Sequence, residues 1–266
     1  MDIKSYMQPE GEQPLDNIVS DGGFCGIFRS IACVGDSLAS GEFECINDDG
    51  TKAYRDYYDY SWGQYLARMA GTKVYNFSKG GMTTKRYVEG WAEEMGYWSE
   101  DKACQCYIIA LGINDIIGGK VEVFGDISDI DPLSPENCKP TYMGHYGHII
   151  AKYKQISPNA RFFLIVPPKH GNEEQREQIQ SALYEIAELF EHTYVIDLYK
   201  YAPPYDKEFR KHFFLGGHMN PMGYIISAKL IASYIDYIIR HNPDDFKLVG
   251  LIGTPYYEKT EEGQKK

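Results

Sequence analysis

The chain has 266 residues, of which 43% are hydrophobic and 24% are charged, and this usage is too apolar for a disordered chain. At this length one α/β domain buries roughly three-quarters of the surface that its unfolded chain exposes, so we expect one large domain. The formal net charge of -11 repels phosphate backbones and anionic lipid, which argues against nucleic acid as a partner.

Membrane insertion and export are not expected. The longest apolar stretches, residues 107–113 and 162–168, are far shorter than the roughly 18 to 20 residues of a spanning helix. The first residues, MDIKSYMQPEGEQPLDN, carry acids and prolines where a secretory signal has a basic start and an apolar run. We therefore expect a cytoplasmic protein. Its cysteines lack paired C-x-x-C spacing and are predicted to be reduced thiols: Cys25, Cys33, Cys45, Cys104, Cys106 and Cys138.

The first predicted element is a strand over residues 28–34, an apolar run rich in β-branched and aromatic residues. Gly35, Asp36, Ser37 and Leu38 follow it directly. A serine on a glycine-flanked turn at a strand end is exposed and can attack an acyl carbon. The same tetrapeptide is ordinary turn chemistry, and taken alone it favours the turn.

An unusually long connection over residues 42–60 comes next and is rich in aromatic side chains, including Tyr58. Long ordered loops beside a strand end tend to carry function, so we predict that this one forms a wall of a substrate pocket. Residues 60–70 then show a helical pattern.

The second predicted strand, residues 73–77, leads into Gly80 and Gly81. Paired glycines let the backbone approach a ligand closely, so that an N–H group can face a developing oxyanion. The alternative is a strand-to-helix turn with Thr83 or Thr84 capping a helix over residues 84–98.

The third predicted strand, residues 105–111, is followed by Asn114, whose amide can donate to the same oxyanion or cap a helix. The remaining units are predicted from periodicity. They are a helix at 137–153, a strand at 160–166, a helix at 173–191 and a strand at 194–198.

His218 lies between the fifth predicted strand and the last helix, where Asn220 can cap and Pro221 can take the first helical position. An imidazole at this point faces back toward the exit of the first strand, as a general base for Ser37 must. His170, which follows the fourth strand, is the rival base.

Strands that alternate with helices imply a parallel sheet covered by helices on both faces. In such sheets the reactive groups gather at the carboxyl ends of the strands. Residues 28–245 make up this predicted domain, with an N-terminal extension over residues 1–27 and a C-terminal tail over residues 246–266. We expect the polar end of the tail to be mobile.

The four blocks that carry Ser37, Gly81, Asn114 and His218 resemble, in their order, the GDSL or SGNH hydrolase superfamily, over residues 31–239. The resemblance implies a three-layer α/β/α sandwich with a flavodoxin-like, parallel, five-stranded sheet. It also implies a serine ester hydrolase with Ser37 as nucleophile and His218 as base. The N–H groups of Ser37 and Gly81 and the side chain of Asn114 would form the oxyanion hole.

We further predict that the substrate is contacted by Asp36, Leu38, Gly80, Leu215 and Tyr58. The family usually has an Asp three residues before the catalytic His, and here that position is Leu215. Without an acceptor the imidazole is poorly oriented. The backbone carbonyl of Leu215, Asp206 or Asp197 can replace the carboxylate, or nothing does. We favour a Ser–His dyad with the carbonyl as acceptor.

The substrate is predicted to be a short-chain ester, such as an acetyl group on a carbohydrate, because aromatic side chains suit stacking on a sugar. A lipid or lysophospholipid ester is an alternative. No metal or organic cofactor is implied, since no His, Cys or carboxylate set has ligand spacing. Two rival interpretations are a binding protein that lost turnover and a structural α/β domain whose four blocks are turns and caps.

Overall fold

A computed structural model describes residues 6–121 and 123–264. Its strands are β1 (Ser30–Gly35), β2 (Glu42–Ile46), β3 (Lys52–Asp56), β4 (Lys73–Ser78), β5 (Cys106–Ala110), β6 (Arg161–Val166), β7 (Thr193–Asp197), β8 (Phe214–Leu215) and β9 (His218–Met219). Its α-helices are α1 (Ser37–Ser40), α2 (Trp62–Ala70), α3 (Thr84–Arg86), α4 (Ala92–Glu94), α5 (Tyr142–Ile156), α6 (Glu173–Leu189), α7 (Leu198–Tyr201), α8 (Lys207–Phe213), α9 (Pro221–His241) and α10 (Pro243–Phe246).

The central sheet has the order β4-β1-β5-β6-β7, and all its neighbouring strands are parallel. Counted along the chain, these strands stand in the order 2-1-3-4-5, which is the flavodoxin-like order. The predicted fold class is therefore confirmed. Each of the five strands begins and ends within two residues of its predicted bounds.

Two apolar cores lie on opposite faces of the sheet. Ala32 and Val34 of β1 belong to the core beneath α5 and α6, whereas Ile31 and Cys33 belong to the core beneath α2 and α9. This alternation follows from the two-residue period of a strand, and burial on both faces explains the continuous apolar runs of the sequence.

Helix α9 begins as predicted. The side chain of Asn220 accepts a hydrogen bond from the N–H of Gly223, and Pro221 occupies the first helical position. Although α9 is long and apolar enough by composition to cross a membrane, 72% of its apolar window is buried inside the protein. Its apolar composition is accounted for by packing in the core.

Two predicted elements are corrected by the structure. The helix expected over residues 84–98 is interrupted by a π-helical turn at Tyr87–Trp91, where Gly90 has a φ of +147°. The connection over residues 42–60 contains the antiparallel hairpin β2–β3 and a 3-10 turn at Tyr58–Tyr60.

The segments outside the α/β alternation pack onto it where they are described. Arg240 of α9 contacts both carboxylate oxygens of Glu12 at 2.7 Å, and its Nε donates to Asp236 at 2.7 Å. On the C-terminal side, Val249 and Tyr257 are buried. The predicted extension and tail also include residues 1–5 and 265–266, which lie outside the described residues.

Candidate active site

Ser37 is the first residue of α1, and only Asp36 separates it from the end of β1. Asp36 caps this short helix, because its carboxylate accepts from the N–H of Leu38 at 3.1 Å. Gly41 ends the helix with a φ of +79°, and a Cβ there would lie 2.6 Å from the Tyr57 carbonyl. The half-buried Ser37 thus stands at a helix N-terminus, where N–H groups lack intrahelical partners.

Three hydrogen-bond donors lie on the loops that follow β1, β4 and β5. In the described structure, the N–H groups of Ser37 and Gly81 donate to no protein group. The amide of Asn114 donates to the carbonyl of Met82 at 3.1 Å and to the carboxylate of Asp36 at 3.4 Å. The second bond is long, so a stronger acceptor can replace it.

Asp36 is an unusual ionisable group. Burial raises the pKa of its carboxyl to about 7, and the charges of Asp115 and Glu42 act in the same direction, against the Leu38 N–H and Lys120. Asp115 is itself buried and accepts from the N–H of Thr84 at 2.8 Å and its hydroxyl at 2.6 Å. That pair of bonds ties the loop after β4 to the loop after β5.

His218 opens β9, which pairs with β8 so that it stands opposite Leu215. Its Nε2 lies 2.9 Å from a carboxylate oxygen of Glu42, and the Tyr54 ring packs edge-on at 5.2 Å between centroids. Its Nδ1 is buried and has no hydrogen-bond partner within the described residues. Burial lowers the pKa of His218, although the charges of Glu44 and Asp56 oppose this shift.

The hairpin β2–β3 supplies acids to the loops that carry the predicted site. Glu44 accepts from the N–H of Gly217 at 2.9 Å, beside His218. Asp56, which pairs with Glu42 across the hairpin, accepts from the Ser40 hydroxyl and, at 3.5 Å, from the Gly80 N–H. The Glu42 carboxylate fills the space that a side chain at Gly80 would occupy.

Sequence reasoning missed Glu42, Glu44 and Asp56 because it treated this segment as an aromatic wall. The signal that was present is the alternation of Glu42 and Glu44, which places two acids on one face of a strand.

None of the three proposed substitutes for the missing Asp forms a hydrogen bond with His218 in the described structure. Asp206 caps α8 and accepts from the Phe209 N–H. Asp197 caps α7 and accepts from Gln180 and Tyr184. The predicted bond from His218 to the Leu215 carbonyl is not seen, since Nδ1 has no described partner.

A cleft of about 240 Å³ opens at the carboxyl edge of the sheet. Among the predicted site residues it is lined by Asp36, Ser37, Leu38, Asn114 and His218. The rival base also lines it, but both ring nitrogens of His170 are occupied, by the Tyr205 carbonyl at 2.8 Å and by Arg210 at 3.1 Å.

The other predicted site residues do not line this cleft. Gly81 lies next to Lys120, whose ammonium is 3.4 Å from both the Gly81 carbonyl and the Asn114 side-chain oxygen. Leu215 is half-exposed. Tyr58 donates its hydroxyl to the Val74 carbonyl at 3.1 Å, so the expectation that Tyr58 contacts substrate is corrected.

An apolar cavity of about 60 Å³ borders the cleft. It shares Asp36 and Leu38 with the cleft, and its lining also includes Trp62, Met219 and Ile231. This volume holds only a few water-sized groups. In the described parts of the chain, no three His, Cys, Asp or Glu side chains are grouped to hold a metal ion.

Comparison with known proteins identifies the family. The model of the GDSL-like Lipase/Acylhydrolase family matches residues 33–226, which is most of the chain. The chain belongs to this family. As a GDSL-like lipase/acylhydrolase it is a carboxylic ester hydrolase by class. No curated protein matches it.

Solved structures share the fold of this GDSL-like chain at low identity. A family two carbohydrate esterase from Clostridium thermocellum, in complex with cellohexaose, is 15% identical with a TM-score of 0.56. The match covers 82% of this chain and 65% of that one, so this chain spans about two-thirds of that esterase's length. Est24, a carbohydrate acetylesterase from Sinorhizobium meliloti, is 15% identical with a TM-score of 0.52 and coverages of 79% and 99%.

Proposed function

We propose that this GDSL-like hydrolase removes a short acyl group, such as acetyl, from a carbohydrate ester. The observation that carries the proposal is the single cleft lined by Ser37, Asn114 and His218 at the carboxyl edge of the sheet. A nucleophile, a base and an amide donor are the groups that acyl transfer requires.

In the proposed mechanism, the Ser37 oxygen attacks the ester carbonyl while His218 takes the hydroxyl proton. The oxyanion accepts hydrogen bonds from the Ser37 N–H and the Asn114 amide, which line the cleft. The third donor is the N–H of Gly81, whose loop is held beside Asn114 by their shared contact with Lys120. The imidazolium then passes its proton to the alcohol oxygen, the carbon–oxygen bond breaks, and the alcohol leaves. Water repeats the sequence on the acyl-enzyme and releases the acid.

In this mechanism Glu42 supplies the negative charge that the missing Asp would place beside the catalytic imidazole. Its carboxylate lies 2.9 Å from the ring of His218, which is close enough to stabilise the imidazolium that forms when Ser37 loses its proton. Burial and the charge of Asp56 raise the pKa of Glu42, so its negative charge is costly unless a cation forms beside it. Proton transfer to His218 supplies that cation.

The size of the acyl group is inferred from the apolar cavity beside Ser37. Its volume of about 60 Å³ and its lining by Trp62, Met219 and Ile231 suit an acetyl group better than a long chain. The carbohydrate part of the proposal is supported by the similarity in fold to a carbohydrate esterase bound to cellohexaose and to a carbohydrate acetylesterase.

Hydrolysis of p-nitrophenyl acetate by the wild type and by Ser37→Ala tests the proposal. We expect Ser37→Ala to lose at least about a thousandfold in kcat, because the covalent step disappears, while Ser99→Ala, an exposed control, keeps the rate. The acid limb of the pH profile should lie below about pH 6.5, because burial lowers the pKa of His218.

His218→Ala should abolish that limb, whereas the exposed His212→Ala should leave it in place. Equal rates for the wild type and Ser37→Ala would remove the nucleophile assignment.

The second candidate function, a binding protein without turnover, is motivated by the absence of a Ser37–His218 hydrogen bond in the described structure. Carbohydrate binding without hydrolysis would favour it.

A further inference from the structure

Two arginines lie in the same cleft as Ser37 and His218. Arg176 comes from α6 and Arg210 from α8, and both line the cleft next to His170 and Phe214. Neither takes part in the mechanism described above. In a chain with a net charge of -11, carboxylates are the expected partners of arginines, but these two arginines bond neutral groups.

Arg176 is a buried cation held by neutral groups. Its side chain donates to the backbone carbonyls of Pro168 at 2.6 Å, Gly171 at 2.9 Å and His170 at 3.4 Å, and the residue is only 4% exposed. No carboxylate among the described residues lies within ion-pair distance of it. Glu173 is the acid whose charge it feels, but the carboxylate of Glu173 accepts from the Tyr199 hydroxyl at 2.6 Å.

Arg210 is held in place in the same manner. Because His170 Nδ1 faces the Tyr205 carbonyl at 2.8 Å, that nitrogen donates and Nε2 accepts from Arg210 at 3.1 Å. The second terminal nitrogen of Arg210 donates to the Gly216 carbonyl at 3.0 Å, and the guanidinium lies 4.3 Å from the centre of the Phe214 ring.

These contacts use two of the five N–H donors of an arginine. In the described part of the chain no carboxylate forms an ion pair with Arg210. Asp206 lines the neighbouring groove, but its carboxylate caps α8 through the Phe209 N–H. The guanidinium is therefore immobilised at the cleft while its charge and most of its donors stay available.

A buried charge that is surrounded by neutral groups is unfavourable until an opposite charge joins it. Protein carboxylates neutralise many arginines, and here none does so among the described residues. An anion that enters the cleft would offset the charge of the guanidinium groups that line it. Arginine recognises carboxylate and phosphate oxygens with paired N–H donors, so these are the groups that suit the pair.

We propose that Arg176 and Arg210 form an anion subsite that binds a carboxylate or phosphate carried by the sugar part of the ester substrate. This inference rests on the proposed function, because it places the anionic group in the cleft that also holds Ser37. The preferred substrate is then an acylated acidic sugar, such as a uronic acid or a sugar phosphate.

A matched set of substrates tests this. We would compare kcat/KM for acetylated methyl glucoside, the corresponding glucuronide and the corresponding 6-phosphate, which differ only at carbon 6. The wild type should prefer at least one anionic member by about tenfold or more, as expected for a hydrogen-bonded charge pair. Preference for the glucuronide or for the phosphate distinguishes the two sources of the anion.

Arg210→Gln is the test variant, and it should reduce the ratio of anionic to neutral kcat/KM by about tenfold. Lys211→Gln is the matched control, because Lys211 is the next residue of α8, carries the same charge and faces solvent beside Glu208. It should keep the wild-type ratio.

Equal kcat/KM for the neutral and both anionic sugars would overturn the subsite, as would equal ratios for Arg210→Gln and Lys211→Gln. Calorimetric binding of methyl glucuronide and of glucose 6-phosphate to Ser37→Ala separates the subsite from catalysis. If Ser37→Ala is as active as the wild type but binds an anionic sugar through Arg210, the mechanism fails and the subsite stands. If Ser37→Ala is inactive but binds neither anionic sugar, the mechanism stands and the subsite fails.

Discussion

Asp36 is a buried acid whose ionisation is linked to the stability of this fold. It precedes Ser37, caps α1, and is buried with a pKa raised to about 7, whereas an Asp in an unfolded chain titrates near about 3.9. Between these values the folded chain keeps a proton that the unfolded chain releases. The stability that this group contributes is therefore present below about pH 4 and is lost as the pH rises through about 7.

Asp36→Asn removes that titration while keeping a side-chain oxygen for the Leu38 N–H. We expect the wild type to lose more free energy of unfolding than Asp36→Asn between pH 5 and pH 8. Urea unfolding at the two pH values measures the difference. Asp48→Asn, at an exposed position in the hairpin turn, should behave as the wild type. Parallel pH dependence in the wild type and Asp36→Asn would contradict this account.

The hairpin β2–β3 is the element that connects α1, which begins at Ser37, with the loop of Gly80 and Gly81 and with His218. Its acids reach three separate segments, through Ser40 of α1, Gly80 and the turn before His218. The hairpin is itself tied to α9, because the Tyr224 hydroxyl donates to the Glu42 carbonyl at 2.7 Å. An isolated two-stranded hairpin is only marginally stable in water. These contacts therefore stabilise the hairpin, and the hairpin in turn positions the segments that it contacts.

Gly80→Ala tests whether the hairpin acts through Glu42. The added methyl would occupy the position of the Glu42 carboxylate, so the carboxylate must move away from His218. We expect Glu42→Gln and Gly80→Ala each to lower kcat by about tenfold or more, with KM little changed, since the imidazolium loses support.

The double variant should then be no worse than Gly80→Ala, because both changes remove the same contact. Steady-state kinetics with p-nitrophenyl acetate measures the cycle, and Asp49→Asn in the hairpin turn serves as control. Losses that multiply in the double variant would show that Gly80 and Glu42 act independently.

At the scale of the whole molecule, the segment before β1 is joined to α9 by buried polar contacts. Arg240 sits between Glu12 and Asp236, and Asp236 also accepts from the Phe24 N–H at 2.8 Å. Removing one member of such a network leaves buried charges without a partner. The segment before β1 therefore stabilises the fold far from the cleft.

Arg240→Ala should lower the free energy of unfolding by about 3 kcal/mol or more, because Glu12 and Asp236 lose their cation. Lys247→Ala, which removes an exposed ion pair with Asp244, should change it by less than about 1 kcal/mol. Denaturant unfolding compares the two. Similar small effects in both would mean that the buried network contributes little.

Most of the fold was predictable from the chain alone, because it depends on local patterns. Each pattern that predicted an element lies within that element, as do the apolar runs of β1 and β4 to β7, the helical stripes and the cap at Asn220. The alternation of strands with helices then implied a parallel sheet. The rule that reactive loops follow the carboxyl ends of strands also brought Ser37, Asn114 and His218 to one cleft.

The contacts between elements were not predictable in this way. Whether Glu42 or a neighbouring residue reaches His218 depends on the register of β2 with β3, since a shift by one residue turns each side chain to the other face. The burial that shifts Asp36, the missing acceptor at Leu215 and the pairing of Arg210 with His170 likewise arise from packing between distant segments. Local periodicity carries no information on those distances.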